Sequence, residues 1–242
     1  QFILQQRLEA AMEMIKKGLF YGVGIGPGDP ELLTLKAVRV LEACQVIAAP
    51  QTKSEQMLAL DIASAAVDLS KKEIVPLFFT MEREKERQHA AHLAAADRLE
   101  AYLANGQDVA MLNLGDVSIY ATYSYLMEIL KKRGYETVMI PGVPSFCAVA
   151  ARLGESLTEM NTPLHILPAG AVPLSEALAM SGTKVLMKSG KRLHEVADAL
   201  DRQGLLSHAK MVKNCGLPDE RVCTDLYAQE SAGYFATIIV KE

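Results

Sequence analysis

The chain has 242 residues, half of them hydrophobic, with 25 basic and 29 acidic side chains and a net charge of −4. That length allows one large or two medium domains with a substantial core. The acidic balance argues against a nucleic-acid partner held by bulk charge, and no apolar run approaches the roughly 18 residues of a membrane span.

The chain opens on Gln1 rather than Met, so the sequence is expected to lack its true start. The opening segment QFILQQRLEAAMEMIKK has no long apolar stretch and no small-residue cleavage pattern, so it does not read as a signal peptide. Leu4, Leu8, Ala11 and Ile15 share one helical face, predicting a docked helical extension over residues 1–17 or a contact with a second copy.

Apolar runs then alternate with helical patterns. LFYGVGI (19–25) reads as a buried strand followed by a glycine turn, and residues 31–43 as a helix with Leu32, Leu35, Val38 and Leu41 in step. QVIAAP (45–50) and EIVPLFF (73–79) are predicted strands, and residues 82–103 a long helix ended by Asn105-Gly106. DVAMLNLGD (108–116) is a strand running into a turn, residues 120–133 a helix closed by Gly134, and YETVMIPGV (135–143) a fifth strand. Strands separated by helices imply a largely parallel sheet, with ligands expected at the loops after the strand C-termini. Three such loops carry glycine: 24–28, 114–117 and 141–145.

Beyond residue 143 the pattern changes. LHILPAG (164–170), TKVLMKSG (183–190), AKMVKNCG (209–216) and YFATIIVKE (234–242) read as strands, with helices near 174–180 and 191–202. The expected organisation is an α/β domain over 18–142 and a smaller α/β domain over 143–242.

Cys44, Cys147, Cys215 and Cys223 form no CxxC pair, which fits a reduced, cytoplasmic protein rather than a zinc site. His89 and His92 are three apart on a predicted helix, but no third ligand is evident, so no metal site is expected.

The stretch GVGIGPGDPELLTLKA (22–37) looks at first like a phosphate loop. The dinucleotide fingerprint G-x-G-x-x-G fails in both frames: counted from Gly22 the sixth position is Pro27, and from Gly24 it is Asp29. A P-loop Gly-Lys-Ser/Thr is also absent. Asp29 stands where a helix N-cap belongs and Pro30 suits the first helical position. A capping carboxylate would occupy the N–H groups a phosphate needs and would repel it. The loop therefore allows close backbone approach to a ligand that is not a pyrophosphate.

That stretch is followed in order by NLGDVSIY (113–120) and PGVPSFCAVAARLG (141–154). The ordered set resembles the tetrapyrrole methylase family, from about residue 19 to the C-terminus. Together with the later HILPAG, it is most similar to the precorrin-2 C-20 methyltransferases of cobalamin biosynthesis. Val117 stands where the uroporphyrinogen III and precorrin-4 methylases usually carry Pro.

The resemblance implies a homodimer whose subunits have two α/β domains, the first with a mostly parallel sheet and the smaller second with a mixed one. It implies S-adenosylmethionine as cofactor, folded in a cleft and held largely by backbone groups. Carried onto this chain, the cofactor-contacting residues would be Pro27 from the first loop and Gly115, Asp116, Val117 and Ile119 from the second. Pro144, Ser145 and Phe146 would form a third segment, with Met187 near the adenine and Asn214, Gly216, Ala236 and Thr237 further along. The residues alone also allow Met187 to be core and Asp116 to be a cap for a helix near Ser118.

The implied reaction is attack by a meso carbon of a reduced macrocycle on the sulfonium methyl, followed by loss of a proton. Asp116 and Tyr120 are the candidate bases. The implied substrate is a polyanionic tetrapyrrole, so Arg152 and Lys188, with Lys53, Arg83, Arg87 and Lys191, are candidates for its carboxylates. Strand alternation would point Lys188 away from Met187 unless the strand ends between them. Eleven Met and four Cys favour the cobalt-bearing macrocycle over the metal-free one. The rivals are another methylase of the family, such as a diphthine synthase or other precorrin enzyme, a nicotinamide-dependent oxidoreductase, and a non-catalytic dimeric binding protein. The oxidoreductase would need an acid after the second strand, where AAPQTK has none.

Overall fold

A computed structural model of the protein describes residues 16–52, 55–79, 84–168, 170–231, 233 and 235–241. The helix expected over residues 1–17 falls almost wholly outside the described residues. The chain divides into two compact units, one ending at Val143 and the other starting at Pro144, with Pro27–Asp29 grouped with the second.

The first unit is built on five strands: β1 (Phe20–Gly24), β2 (Val46–Gln51), β3 (Glu73–Phe78), β4 (Val109–Asn113) and β5 (Thr137–Ile140). They are ordered β3-β2-β4-β1-β5, and every pairing is parallel. Parallel strands require crossovers, and the helices α1 (Leu35–Ala43), α2 (Leu58–Ala66), α3 (Lys85–Leu103) and α4 (Tyr123–Lys132) supply them. Because β4, β1 and β5 are neighbours running the same way, the loops that follow them leave from one edge of the sheet.

One face of this sheet packs Phe20, Val75, Met111 and Leu77 against Leu99 and Leu103 of α3 and Tyr123, Leu126 and Leu130 of α4. Arg133 holds the far ends of α3 and α4 together, donating to Asp97 at 2.7 Å and Glu100 at 2.6 Å.

Two local expectations are corrected, the helix start at Asp29-Pro30 and the place of Leu35 on the apolar face. Asp29 precedes a 3-10 turn rather than the predicted α-helix. Residues Pro30–Leu32 form a separate 3-10 turn, and α1 opens at Thr34, whose hydroxyl accepts from Ala37 N at 3.1 Å. Ala37 and Leu41 are its buried residues, while Leu35 is 76% exposed. The helix α2 carries no expectation from the sequence: it buries only the small or branched Ala59, Ile62 and Ala63, so its apolar face is narrow.

The second unit holds α5 (Ser145–Leu153), β6 (Leu164–Pro168), α6 (Leu174–Ala179), β7 (Thr183–Met187), α7 (Leu193–Arg202), β8 (Ala209–Lys213), β9 (Arg221–Cys223) and β10 (Ala236–Val240). Its sheet is ordered β6-β7-β10-β8-β9. Only β6 and β7 are parallel; the other three pairings are antiparallel. Leu186, Met211 and Ile238 of the sheet pack with Leu193, Val196 and Leu200 of α7. The expected pair of α/β architectures, one parallel and one mixed, is the one the chain adopts.

Candidate active site

The three glycine loops of the first unit meet at the sheet edge. Gly24 pairs with Asn113, and Val23 with Ile140, so the strands end level. Just beyond, Gly115 N donates to Gly26 O at 2.8 Å and Gly26 N returns a bond to Gly115 O at 3.2 Å. A Cβ on Gly24 would lie 2.6 Å from Gly142 N, and one on Gly142 only 2.3 Å from Gly115 O. Any side chain at either position would force the loops apart, so backbone lies directly on backbone. Gly26 and Gly115 also take left-handed φ values of 77° and 70°.

Asp116 lies inside this junction, 8% exposed. One carboxylate oxygen accepts from Ser118 N at 2.8 Å and from the Ser118 hydroxyl; the other accepts from Gly142 N at 2.8 Å. Burial pushes the carboxyl up, but these hydrogen bonds outweigh it and hold it below the usual aspartate value. Its cap is for this turn and not for α4, which starts five residues beyond Ser118, at Tyr123.

Val117 is 1% exposed and packs into the core, so its side chain faces away from solvent. Ile119 is half-buried, and its amide donates to Asp116 O at 3.3 Å. Tyr120 is 48% exposed, with φ at 50°, a conformation costly for a bulky side chain.

The second unit gathers the other expected contacts. Ser145 begins α5 after Pro144, and its hydroxyl lies 3.4 Å from that of Thr237. Thr237 sits in β10 beside Met187 of β7 and Val212 of β8, and Ala236 pairs with Lys213. Asn214 N donates to Phe235 O at 2.7 Å, which brings the turn after β8 to the start of β10. Phe146 is buried.

The turn at 214–217 is braced by acids that follow it. Asn214 is left-handed at φ 50°, and its side-chain amide donates to Asp219 at 2.6 Å. Gly216 N donates to Glu220 at 2.8 Å, and Arg152 Nε donates to the other Glu220 oxygen. The Gly216 amide bond comes first in holding the Glu220 carboxyl below its ordinary value, against some desolvation, with Arg152 adding to it. Residues 27–29 back onto this turn: a Cβ on Gly28 would lie 2.5 Å from Cys215 O, and one on Gly216 would lie 2.5 Å from Asp29 N. Burial, then the Glu220 charge, pushes the Cys215 thiol up to about 11.

The expected basic residues are dispersed. Arg152 is committed to Glu220, and Arg87 pairs with Glu84 at 2.8 Å. Lys53, Arg83 and the side chain of Lys191 lie outside the described residues. The strand β7 ends at Met187, and Lys188 follows at φ 58°, which breaks the alternation that would have opposed the two side chains. Next to it, Ser189 is 1% exposed, and its hydroxyl has no protein partner among the described residues. Glu220, Asp219, Ser118 and Ser189 are the contributors that sequence reasoning missed. Only the PDE run after the glycine of NCGLPDE hinted at the first two.

S-adenosylmethionine fits these features better than a dinucleotide does. Taken unit by unit, the charged carboxylates of Asp116 in the first and Glu220 in the second disfavour a diphosphate, and in the second the buried Ser189 hydroxyl, two residues after Met187, has no protein partner among the described residues. Among the described residues, no group of three or more His, Cys, Asp or Glu side chains could hold a metal ion, and no helix is long and apolar enough to cross a membrane.

Comparison with known proteins is consistent with this chemistry. Residues 19–229 match the family model described as Tetrapyrrole (Corrin/Porphyrin) Methylases. A probable cobalt-precorrin-2 C(20)-methyltransferase of Methanocaldococcus jannaschii is 34% identical over 235 residues, covering 95% of this chain and 97% of that one. The cobalamin biosynthesis protein CobIJ of Mycobacterium tuberculosis H37Rv is 31% identical over 92% of this chain, which spans only 46% of that longer relative. The solved uroporphyrin-III C-methyl transferase of Thermus thermophilus, complexed with S-adenosyl homocysteine, has the same fold: TM-score 0.66, 24% identity, 93% of this chain and 98% of that one.

Proposed function

The chain belongs to the tetrapyrrole methylases, and within that family we propose that it transfers a methyl group from S-adenosylmethionine to carbon 20 of cobalt-precorrin-2 in cobalamin biosynthesis. The observation that carries this reading is the end-to-end match, 97% of its length, to a relative bearing that activity in its name. The metal-free macrocycle is the alternative substrate, since a cobalt ion there would be cargo of the substrate rather than a group the protein holds.

When bound, S-adenosylmethionine supplies a methyl group on a positively charged sulfur. The chain's part is to hold and align. The contacts among Gly24, Gly26, Gly115 and Gly142 fix the spacing of the loops at the sheet edge, so that a bound reactant meets a rigid frame. Such alignment is worth roughly 7–11 kcal/mol of barrier lowering in favourable cases. Met187, Ser145, Thr237, Pro27 and the 214–216 turn contribute the rest of the cofactor contacts in this reading, with Phe146 and Ala236 behind them. Ile119 and the main chain of Val117 complete the second-loop contribution.

After methyl transfer the substrate carbon must lose its proton. Tyr120 presents an exposed side chain on a strained backbone, a combination that collects at working sites. It is the candidate proton acceptor on this chain. Lys188, exposed at the end of β7, is the candidate partner for a substrate carboxylate. We propose further that the protein works as a homodimer in the cytoplasm, in keeping with its thiols and with the family resemblance.

The test is a coupled assay. The purified chain is incubated with S-adenosylmethionine and either cobalt-precorrin-2 or precorrin-2, and the products are weighed by mass spectrometry. Gain of one methyl at carbon 20 supports the reading. Methylation of another position moves the chain to a sister activity, and no methylation of either macrocycle overturns the proposal.

A further inference from the structure

We infer that Asp116 is a positioning residue: it ties the loop after β5 to the loop after β4 and so fixes the backbone surface that receives the cofactor. The inference rests on the S-adenosylmethionine reading and assigns this carboxylate a task different from proton removal.

Three observations combine. Both carboxylate oxygens are already engaged, by Ser118 N at 2.8 Å with the Ser118 hydroxyl, and by Gly142 N at 2.8 Å. A general base needs an oxygen directed at the reacting atom, and these are directed at the protein. The residue lies where two loops touch through glycine, with a hypothetical Cβ on Gly142 only 2.3 Å from Gly115 O. Backbone packed that closely has no side chains to interlock, so its separation depends on whatever bonds cross it. From the second loop to the third, the bond that crosses is Asp116 to Gly142, over 26 positions of sequence. Finally, the carboxyl is held below its usual value, so near neutral pH it remains a charged acceptor and a poor proton trap.

The same bond explains why neither a hydroxyl nor an amide would serve as well. Ser118 and Gly142 supply three donors between them, and only a carboxylate at this position offers enough lone pairs on both sides at once. An Asn has one oxygen and an NH2 group, so one side of the tie must face donor against donor.

The experiment measures S-adenosylhomocysteine binding by calorimetry for the wild type, Asp116→Asn and Ser118→Ala, with the pH profile of kcat for each. For Asp116→Asn the dissociation constant should rise about tenfold or more, as expected for a lost charge-assisted bond. Residual turnover should keep the wild-type pH profile. Ser118→Ala, which removes only the hydroxyl donor, should weaken binding by a smaller factor, and it carries the test if the Asp116 variant fails to fold. Unchanged affinity in the folded variants overturns the inference. So does loss of the acidic limb of the kcat profile in Asp116→Asn, which would mark a base. Failure of the wild type itself to bind the ligand would instead sink the cofactor reading.

Discussion

The ring of Tyr123 lies flat on the backbone of Gly22. A Cβ at Gly22 would come within 2.6 Å of three of its ring carbons. The hydroxyl passes beyond and lies 3.1 Å from the carbonyls of both Phe20 and Val138, which share its one proton. A side chain from α4 is thereby bolted to β1 and β5, the two strands whose loops carry Gly24 and Gly142. Burial pushes this phenol up to about 12, so it stays protonated and keeps its donor.

Gly22→Ala should therefore cost more than a usual surface change, since neither ring nor backbone can yield without opening the core. A destabilisation of about 1–3 kcal/mol is expected from overpacking. Tyr123→Phe keeps the volume and removes the phenol's hydrogen bond to the sheet, at a cost of about 1–2 kcal/mol. Urea unfolding of both variants checks this; a wild-type midpoint for Gly22→Ala would refute the packing account.

Gly142→Ala separates shape from stability. The added carbon meets Gly115 O at 2.3 Å, so the loops must part. The expected result is a folded protein, by circular dichroism, with S-adenosylhomocysteine affinity reduced by at least about tenfold. Wild-type affinity would mean that the junction has no part in binding.

Arg152 was expected at a substrate carboxylate, and in the structure it pairs with Glu220. Arg152→Ala should change stability by less than about 1 kcal/mol, because the arginine is half-exposed. Its larger effect should be on the 214–217 turn, seen as a raised KM for S-adenosylmethionine. A raised KM for the macrocycle alone would restore the original assignment.

Asp116 and Glu220 both titrate below their ordinary values of 3.8 and 4.5 in the folded protein. The unfolded chain therefore takes up these protons first as the pH falls. The stability they contribute is fully present above those ordinary values and is lost as the pH falls through the folded ones. Unfolding free energies measured from about pH 6 to about pH 3 should converge for wild type and Asp116→Asn, with most of the gap closing at the acid end. A constant gap would rule out the hydrogen-bond account of the shift.

Tyr120 offers a trade between strain and use. Tyr120→Gly removes the steric cost of the left-handed backbone and should stabilise the protein by about 1 kcal/mol while abolishing turnover. Tyr120→Phe should leave cofactor affinity unchanged and lower kcat. Full activity in Tyr120→Phe would remove the hydroxyl from the mechanism.

The general layout was legible because glycine at a strand end has a simple physical meaning, and three such loops stood in order at Gly24, Gly115 and Gly142. The failed G-x-G-x-x-G frame correctly argued against a diphosphate. Other features were not legible. Asp-Pro suited a helix start and Pro30 does open a helical turn, but that turn is the 3-10 segment Pro30–Leu32, and the α-helix begins afresh after its cap Thr34. The three residues of β9 are too short to show a period. Asp116 could be seen as a carboxylate in a turn, yet its partner Gly142 lies across the fold, and an N–H leaves no mark in the sequence. Arg152 was visible as a charge; the identity of its partner depended on how α5 and the turn before β9 come together.

A junction made of main chain has an evolutionary corollary. Where three segments meet through Gly24, Gly115 and Gly142, there are no side chains to exchange, so ordinary point substitution cannot retune the contact; it can only break it. Any change of specificity in such a scaffold has to come at the periphery, through residues such as Tyr120 and Lys188, and not at the glycine centre.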